Sequence, residues 1–431
     1  GIATDAPINV VREDPKRRGL LYAGSETQVW FSLDDGDHWH SLRGNMPAIS
    51  IRDLIIKDDD IAVGTHGRGF WILDNTTALR QWNATTAIAP ATLFKPAVAT
   101  RVRYSMYTDT PVPPDEPRAE NPPDGAMIDY YLARDAQRVT LEILNAGGRV
   151  VRTFASSDPT PVPTDAGNWP RYWFRPAMAP SVKAGLQRFT WDLHYARSST
   201  ECSLPISGTP YNTKCEPEGP WVMPGVYTAR LTVDGAVQSQ TFSVQMDPRV
   251  KTPAVALKQQ HDLSVALYDA IVEATTLAAE ARAGGRAEFM GADGFGGVAA
   301  AHQSVIDALQ DSDAPATDVM VQAARAAIGA LTSIRGAAII AAQSAGGIIR
   351  PPILLLSPST QVICAGSSAS SSAARRDSNI FCEGCAISSD PNSDPRCAAN
   401  PSRSRICAPA SLRWCRSAVF AVPVPPSINL I

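Results

Sequence analysis

The chain has 431 residues, 44% of them hydrophobic, with 39 Lys and Arg against 42 Asp and Glu and a formal net charge of -3. Such a length accommodates about two to four domains, and so even a charge balance argues against a nucleic-acid binder or a protein held on an anionic membrane surface. No apolar run approaches the roughly 20 residues of a spanning helix, while 35 Pro and 29 Gly point to a β-rich chain with many turns.

In chain order, residues 1 to about 45 read as one β repeat. Ile8, Val10 and Val11 suggest a strand, Asp14-Pro15 a turn, Leu20 to Gly24 a second strand and Val29 to Leu33 a third. The third runs into Ser32-Leu33-Asp34-Asp35-Gly36-Asp37-His38-Trp39. Here Asp34 is placed to accept backbone N–H groups of its own turn, Gly36 to take a conformation that a Cβ penalises, and Trp39 to plug the hairpin. Residues 51 to 75 carry a partial second repeat: Leu54-Ile55-Ile56, the polar turn Asp58-Asp59-Asp60, Ile61 to Gly64, then Phe70 to Leu73 after His66-Gly67-Arg68-Gly69.

From about 81 to 125 the text is a Pro-rich linker that includes Pro111-Val112-Pro113-Pro114 and Asn121-Pro122-Pro123. Strand patterns return at Ile128 to Leu132, Val139 to Leu144, Val150 to Phe154, Gln187 to Leu193, Gly225 to Val233 and Gln240 to Val244. With hairpin turns at Asn145-Ala146-Gly147-Gly148 and Asp234-Gly235, residues 126 to 249 read as an immunoglobulin-like β-sandwich. Thr252-Pro253 opens a helical region over 250 to 335. Its three helices are marked by Leu263, Leu267 and Ile271, by Val298, Ala301, Val305 and Leu309, and by Met320, Ala324, Ile328 and Leu331.

Residues 336 to 431 form a low-complexity tail dense in Ser, Arg, Pro and Cys; no Lys follows Lys258 and no Tyr follows Tyr268. A reading-frame error between about 330 and 350 explains this text most economically. The competing reading is a genuine tail in which Cys382-Glu383-Gly384-Cys385 is half of a metal site. Of the remaining cysteines, Cys202 and Cys215 lie together in a Pro- and Gly-rich excursion, at a spacing suited to a local disulfide in an oxidising compartment.

Ser32-x-Asp34-x-Gly36-x-x-Trp39 has the spacing of the Asp-box of β-propellers. With Leu20-Leu21-Tyr22-Ala23-Gly24-Ser25-Glu26 before it and Gly64-Thr65-His66-Gly67-Arg68-Gly69-Phe70-Trp71 after it, residues 1 to 80 resemble terminal blades of bacterial BNR-repeat, sortilin-like propeller proteins of the kind labelled glycosyl hydrolases. Pro224-Gly225-Val226-Tyr227 and Arg230 to Gly235, with Trp191-Asp192-Leu193, resemble the sandwich module found beside flagellar-hook-cap proteins. The resemblance implies a mainly β chain with a helical C-terminal region: incomplete propeller blades, a sandwich and an antiparallel helical segment. A propeller must close its ring, so further blades are expected upstream. It also implies a periplasmic or extracellular protein that binds a peptide or carbohydrate on its propeller face. The alternative is a glycoside hydrolase with its catalytic residues in those upstream blades.

No catalytic residue is assigned within the chain. Ser32, Asp34, Gly36 and Trp39 are structural, and Tyr22 is not carried over as a nucleophile. His66 and Arg68, at a hairpin tip, are the ligand-binding candidates, with pairing of Arg68 to Asp53 or Asp74 as the plainer reading. His38 and His40 stand at strand spacing but lack a third ligand, so no metal set is expected, and no cofactor is indicated. Trp169, Tyr172, Trp173 and Phe174, near Trp191 and Tyr195, suit core packing better than a sugar-stacking surface.

Overall fold

The computed structural model describes residues 1–2, 6–103, 122–159, 170, 173–175, 178–198, 213–283, 294–344 and 416–417. It is mainly β, with several sheets and a set of helices after the last of the long strands.

Two antiparallel meanders begin the chain. β1 (Ile8–Glu13), β2 (Leu21–Ser25), β3 (Val29–Ser32) and β4 (His40–Ser41) pair in sequence order. So do β5 (Ile51–Lys57), β6 (Asp60–Thr65) and β7 (Phe70–Leu73), with Arg416–Ser417 added in parallel along β7. Alternate residues of β3 and β6 point inward, a register shift in β5 brings Ile51 and Leu54 to the same side, and Leu20, Tyr22, Val29, Phe31, Ile51, Leu54, Ile61 and Val63 form one core between the meanders. Helix α1 (Thr77–Gln81) closes that core with Leu79 and carries Arg80 to a buried clamp. Arg80 Nε lies 2.9 Å from both oxygens of Asp14, whose side chain has no exposed surface, and its Nη1 donates to Asp59.

The next region starts with α2 (Ala84–Ile88), capped by Asn83, whose side chain accepts from Thr86 N at 3.0 Å. It continues through β8 (Ala91–Leu93), β9 (Ala99–Arg101), β10 (Ala126–Leu132), β11 (Val139–Asn145), β12 (Val150–Ala155), β13 (Gly185–Trp191), β14 (Gly225–Val233) and β15 (Ala236–Met246). These make a three-stranded sheet, β13-β10-β8, and a five-stranded sheet, β12-β11-β14-β15-β9. Ladders are antiparallel except for β15 with β9. Ala126, Ile128, Tyr130 and Leu132 from one sheet, and Val139, Leu141, Ile143, Ala229 and Leu231 from the other, bury period-two faces in a common core. Trp191 lies at its centre, fully buried and edge-on to Tyr227 and Phe242.

The interval 81–125 is therefore more than a linker. It supplies α2, β8 and β9, while 104–121 lies outside the described residues. Strands of three residues are too short to show a period, and β8 is specified by a partner far along the chain. Gln238 accepts from Leu93 N at 2.7 Å and donates to Ala91 O at 2.8 Å. The two β regions are joined by Arg188 of β13, which reaches Asp129 at 2.8 and 2.9 Å and donates to the carbonyls of Asp74 and Asn75, just after β7.

Three helices follow: α3 (Ala254–Ala283), α4 (Phe295–Gln310) and α5 (Asp318–Ser344). Leu267, Ile271, Ile306, Leu309 and Ala324 form one shared core; Ala270, Ala274, Phe295, Val298 and Leu331 form another. In helix α4 the expected Val298 and Leu309 are buried, and the middle of the expected face differs. Ala301 is exposed and Val305 half-buried, while Phe295, His302 and Ile306 point inward. Apolar residues occur on two adjacent stripes of α4, so periodicity alone could not choose between them, and the polar His302 hid the buried one. Its Nδ1 bonds Val298 O at 2.6 Å. The helices dock on the β region through Arg149 to Asp269, 2.6 Å, through Arg101 and Arg103 to Asp313, and through Gln310, which accepts from Trp221 N at 2.9 Å. Among the described residues no helix is long and apolar enough to cross a membrane.

Candidate functional site

The Ser32–Trp39 turn is satisfied from within. Asp34 Oδ1 accepts from Ser32 Oγ at 2.8 Å and from His38 N at 2.9 Å, Asp34 Oδ2 meets His38 Nδ1 at 2.7 Å, and Ser32 Oγ accepts from Gly36 N at 2.9 Å. Gly36 has φ 101° and faces the half-buried Trp39 ring. His40 stacks on Phe31, at 5.3 Å between ring centres, so His38 and His40 have separate partners. Tyr22 is fully buried.

His66 and Arg68 are exposed at the tip after β6, in a turn closed by Thr65, whose N and Oγ1 both donate to Gly69 O. Asp53 pairs instead with Arg12 at 3.1 Å, and Asp74 is buried near Arg188. Among the described residues the Arg68 guanidinium has no ion pair, and no second binding group converges on it. Trp169, Tyr172 and Cys202 lie outside the described residues, as do Cys382 and Cys385, while Trp191 and Tyr195 are core residues.

A different place gathers chemistry. Beyond the end of β13, a cleft of about 230 Å³ is lined by Arg152, Asp158, Asp192, His194, Lys214 and Glu218, among others. It is built by two chain segments held backbone to backbone: Tyr195 N donates to Pro220 O and Val222 N to Leu193 O, each at 2.9 Å. Gly219 permits the approach, since a Cβ there would lie 2.3 Å from the carbonyl oxygen of Ala196. Arg197 fastens the far segment by donating to Pro217 O and Glu216 O. Cys215 in that segment is disulfide-bonded. Leu193, buried, adopts φ 60°, a left-handed conformation that costs about 1–2 kcal/mol for a residue with a Cβ. That twist brings the ring of His194 back over its own chain.

His194 is 97% buried, its ring centre 3.8 Å from that of Trp221. Its Nδ1 lies 2.7 Å from Asp192 O. A carbonyl can only accept, so Nδ1 carries the proton and Nε2 presents a lone pair. Burial holds the His194 pKa below the ordinary histidine value and favours this neutral ring. Among the described residues Nε2 makes no hydrogen bond; it faces Glu218 Oε2 at 4.0 Å. Lys214 Nζ also meets Glu218, 3.0 Å from Oε1 and 3.2 Å from Oε2. Asp192, His194 and Glu218 each offer a ligand atom within 4.8 Å of the others. The third acid of the cleft, Asp158, is occupied by Ala155 N at 2.7 Å.

None of these three residues is among the sequence-predicted site residues. The available signal was Asp192-x-His194 at the end of a strand, but Glu218 is brought to it only by the pairing around Gly219.

The sequence matches no protein-family model and no curated protein. Among solved structures, CopC from Methylosinus trichosporium OB3b is similar at 11% identity over 29% of this chain and 79% of its own, with a TM-score of 0.14. The extracellular domain of a putative hybrid two-component system, BT4673 from B. thetaiotaomicron, is similar at 11% identity over 57% of this chain and 26% of its own, with a TM-score of 0.15. Likenesses at these scores bear on neither fold nor function.

Proposed function

We propose that the chain is part of a secreted binding or interaction protein. Residues 1–80 are read as terminal blades of a BNR-type, sortilin-like propeller, and residues 126–249 as an immunoglobulin-like sandwich that serves as spacer and carries the cleft. Two successive antiparallel meanders sharing one core support the blade reading. The disulfide at Cys215 supports an oxidising, periplasmic or extracellular location. The ligand class is a peptide or glycan.

The observation that carries binding over catalysis is the company kept by the carboxylates in the cleft. Glycoside cleavage needs two carboxyl groups about 5–9 Å apart, open to opposite faces of a sugar ring. Asp192 and Glu218 are close enough to each other, but Asp192 is 8% exposed and Glu218 is engaged by Lys214 beside a buried histidine. That arrangement recognises a ligand without leaving an acid and a nucleophile free. The alternative, a glycoside hydrolase completed by upstream blades, predicts no activity from this chain by itself.

Purified chain is assayed with a panel of chromogenic glycosides, and no turnover above buffer is expected. Turnover that disappears in Asp192→Asn or Glu218→Gln would overturn the binding assignment.

A further inference from the structure

We infer that Asp192, His194 and Glu218 form a binding site for one divalent transition-metal cation of the zinc class. The inference rests on reading the cleft as a binding site and holds whether the larger ligand is a peptide or a glycan.

The imidazole is prepared as a ligand. Its Nδ1–H is fixed on Asp192 O and its ring is held against Trp221, so the tautomer and the direction of the Nε2 lone pair are both set. A backbone carbonyl behind a ligating histidine is the usual means of orienting it on a metal. Among the described residues no donor reaches Nε2; what it faces is a carboxylate oxygen at 4.0 Å, and a cation placed between two such electron-rich atoms is attracted by both.

The donor set is one imidazole nitrogen and two carboxylates. Imidazole with carboxylate suits zinc and its first-row neighbours, whereas calcium and magnesium take oxygen ligands. Tetrahedral ligands at about 2.0–2.1 Å from zinc stand about 3.3 Å apart. Closing the gap from 4.0 Å requires less than about 1 Å of movement from Glu218, whose side chain is one-third exposed and able to shift. Asp192 and His194 lie just beyond the end of β13, where Trp191 Nε1 donates to His194 O at 3.0 Å, and supply the buried half of the site. Three protein ligands leave a fourth position toward the cleft, where water or a donor atom of a bound ligand completes the shell. Lys214, within reach of both oxygens of Glu218, is the cation that neutralises this carboxylate when no metal is bound.

The test uses the full chain with accessible thiols alkylated, so that the tail cysteines do not contribute. After chelator treatment and gel filtration it is titrated with zinc chloride, by calorimetry and by metal analysis of the desalted protein. Glu218→Gln is the informative variant, because its partly exposed side chain can change without unfolding the site; circular dichroism checks that both proteins are folded. One zinc per wild-type chain is expected, with affinity at least about tenfold weaker in Glu218→Gln. Absence of stoichiometric zinc in the folded wild-type protein, or equal affinity in both, would overturn the site. Zinc failing without glycoside turnover refutes the cation alone, whereas turnover dependent on Asp192 or Glu218 refutes the binding assignment itself.

Discussion

The meanders of β1 to β7 and the cleft beyond β13 spend their polar side chains in opposite ways. In the Ser32–Trp39 turn each pointed residue is consumed by its neighbours: Asp34 by Ser32 and His38, Ser32 by Gly36, Trp39 by the face of Gly36. In the cleft, the buried His194 has one nitrogen without a hydrogen bond among the described residues, and it faces a carboxylate. The first arrangement lowers the free energy of a turn and leaves nothing over for a ligand. The second is poorer as a stabilising device, and the surplus lone pair is what makes it a site. The most legible motif in a chain can thus be its least reactive one.

The comparison requires that both regions belong to one folded body, and Arg188 is the test with the largest expected effect. It fills two roles, neutralising the buried Asp129 and tying β13 to the carbonyls after β7. Arg188→Met removes the cation and strands Asp129, which for a buried pair costs about 3–5 kcal/mol. In urea titrations followed by tryptophan fluorescence, the midpoint is expected to fall by that equivalent, with both regions affected. A loss below about 1 kcal/mol would separate them energetically.

Asp74 sharpens the same junction through pH. Burial, then the nearby Asp60, raise its carboxyl pKa to about 6, against the opposing pull of Arg188. A raised carboxyl pKa in the folded state means that stability is fully present below the ordinary Asp value near 4 and is lost as pH climbs through 6. Asp74→Asn should therefore change little at pH 3.5 and stabilise the protein above pH 6 by about 2–3 kcal/mol. Equal melting shifts at both pH values would remove the titration of Asp74 from the account.

In the meanders, Asp34→Ala removes three side-chain contacts of the turn, to Ser32 Oγ, His38 N and His38 Nδ1, and should cost about 1–2 kcal/mol. Zinc affinity at the cleft should stay unchanged. A change in zinc affinity with this substitution would mean that the two regions are not as separate in role as their hydrogen bonds make them.

How far the sequence carried this structure follows from the same contrast. The long strands and the positions of the helices are local facts: Ile128, Tyr130 and Leu132 alternate, and Leu267 and Ile271 recur at helical spacing, because burial on one face imposes those periods. Strands β8 and β9 were missed since their three residues owe their conformation to Gln238 and to β15. The buried stripe of α4 agrees with the sequence at Val298 and Leu309 and departs from it in between, because His302 is polar yet inward. The cleft was hidden for a related reason. Asp192 and His194 are neighbours in the chain, but Glu218 joins them only where the Gly219 backbone can pass within contact of Ala196. No spacing rule spans that distance, and the left-handed Leu193 that orients the pair gives no sign of itself in a residue usually found in helices and cores.

The smallest expected effect belongs to Lys214, and it bears most closely on what the cleft prefers. Its ammonium and a bound metal compete for the charge of Glu218, with the lysine 3.0 Å from Oε1 and 17% exposed. Replacing it by methionine keeps the aliphatic stem and removes the competitor. Such a partly screened ion pair contributes about 1 kcal/mol, so Lys214→Met should bind zinc about fivefold more tightly than the wild type while melting slightly lower in its absence. The opposite sign, weaker zinc binding with the lysine gone, would mean that Lys214 organises Glu218 for its ligand.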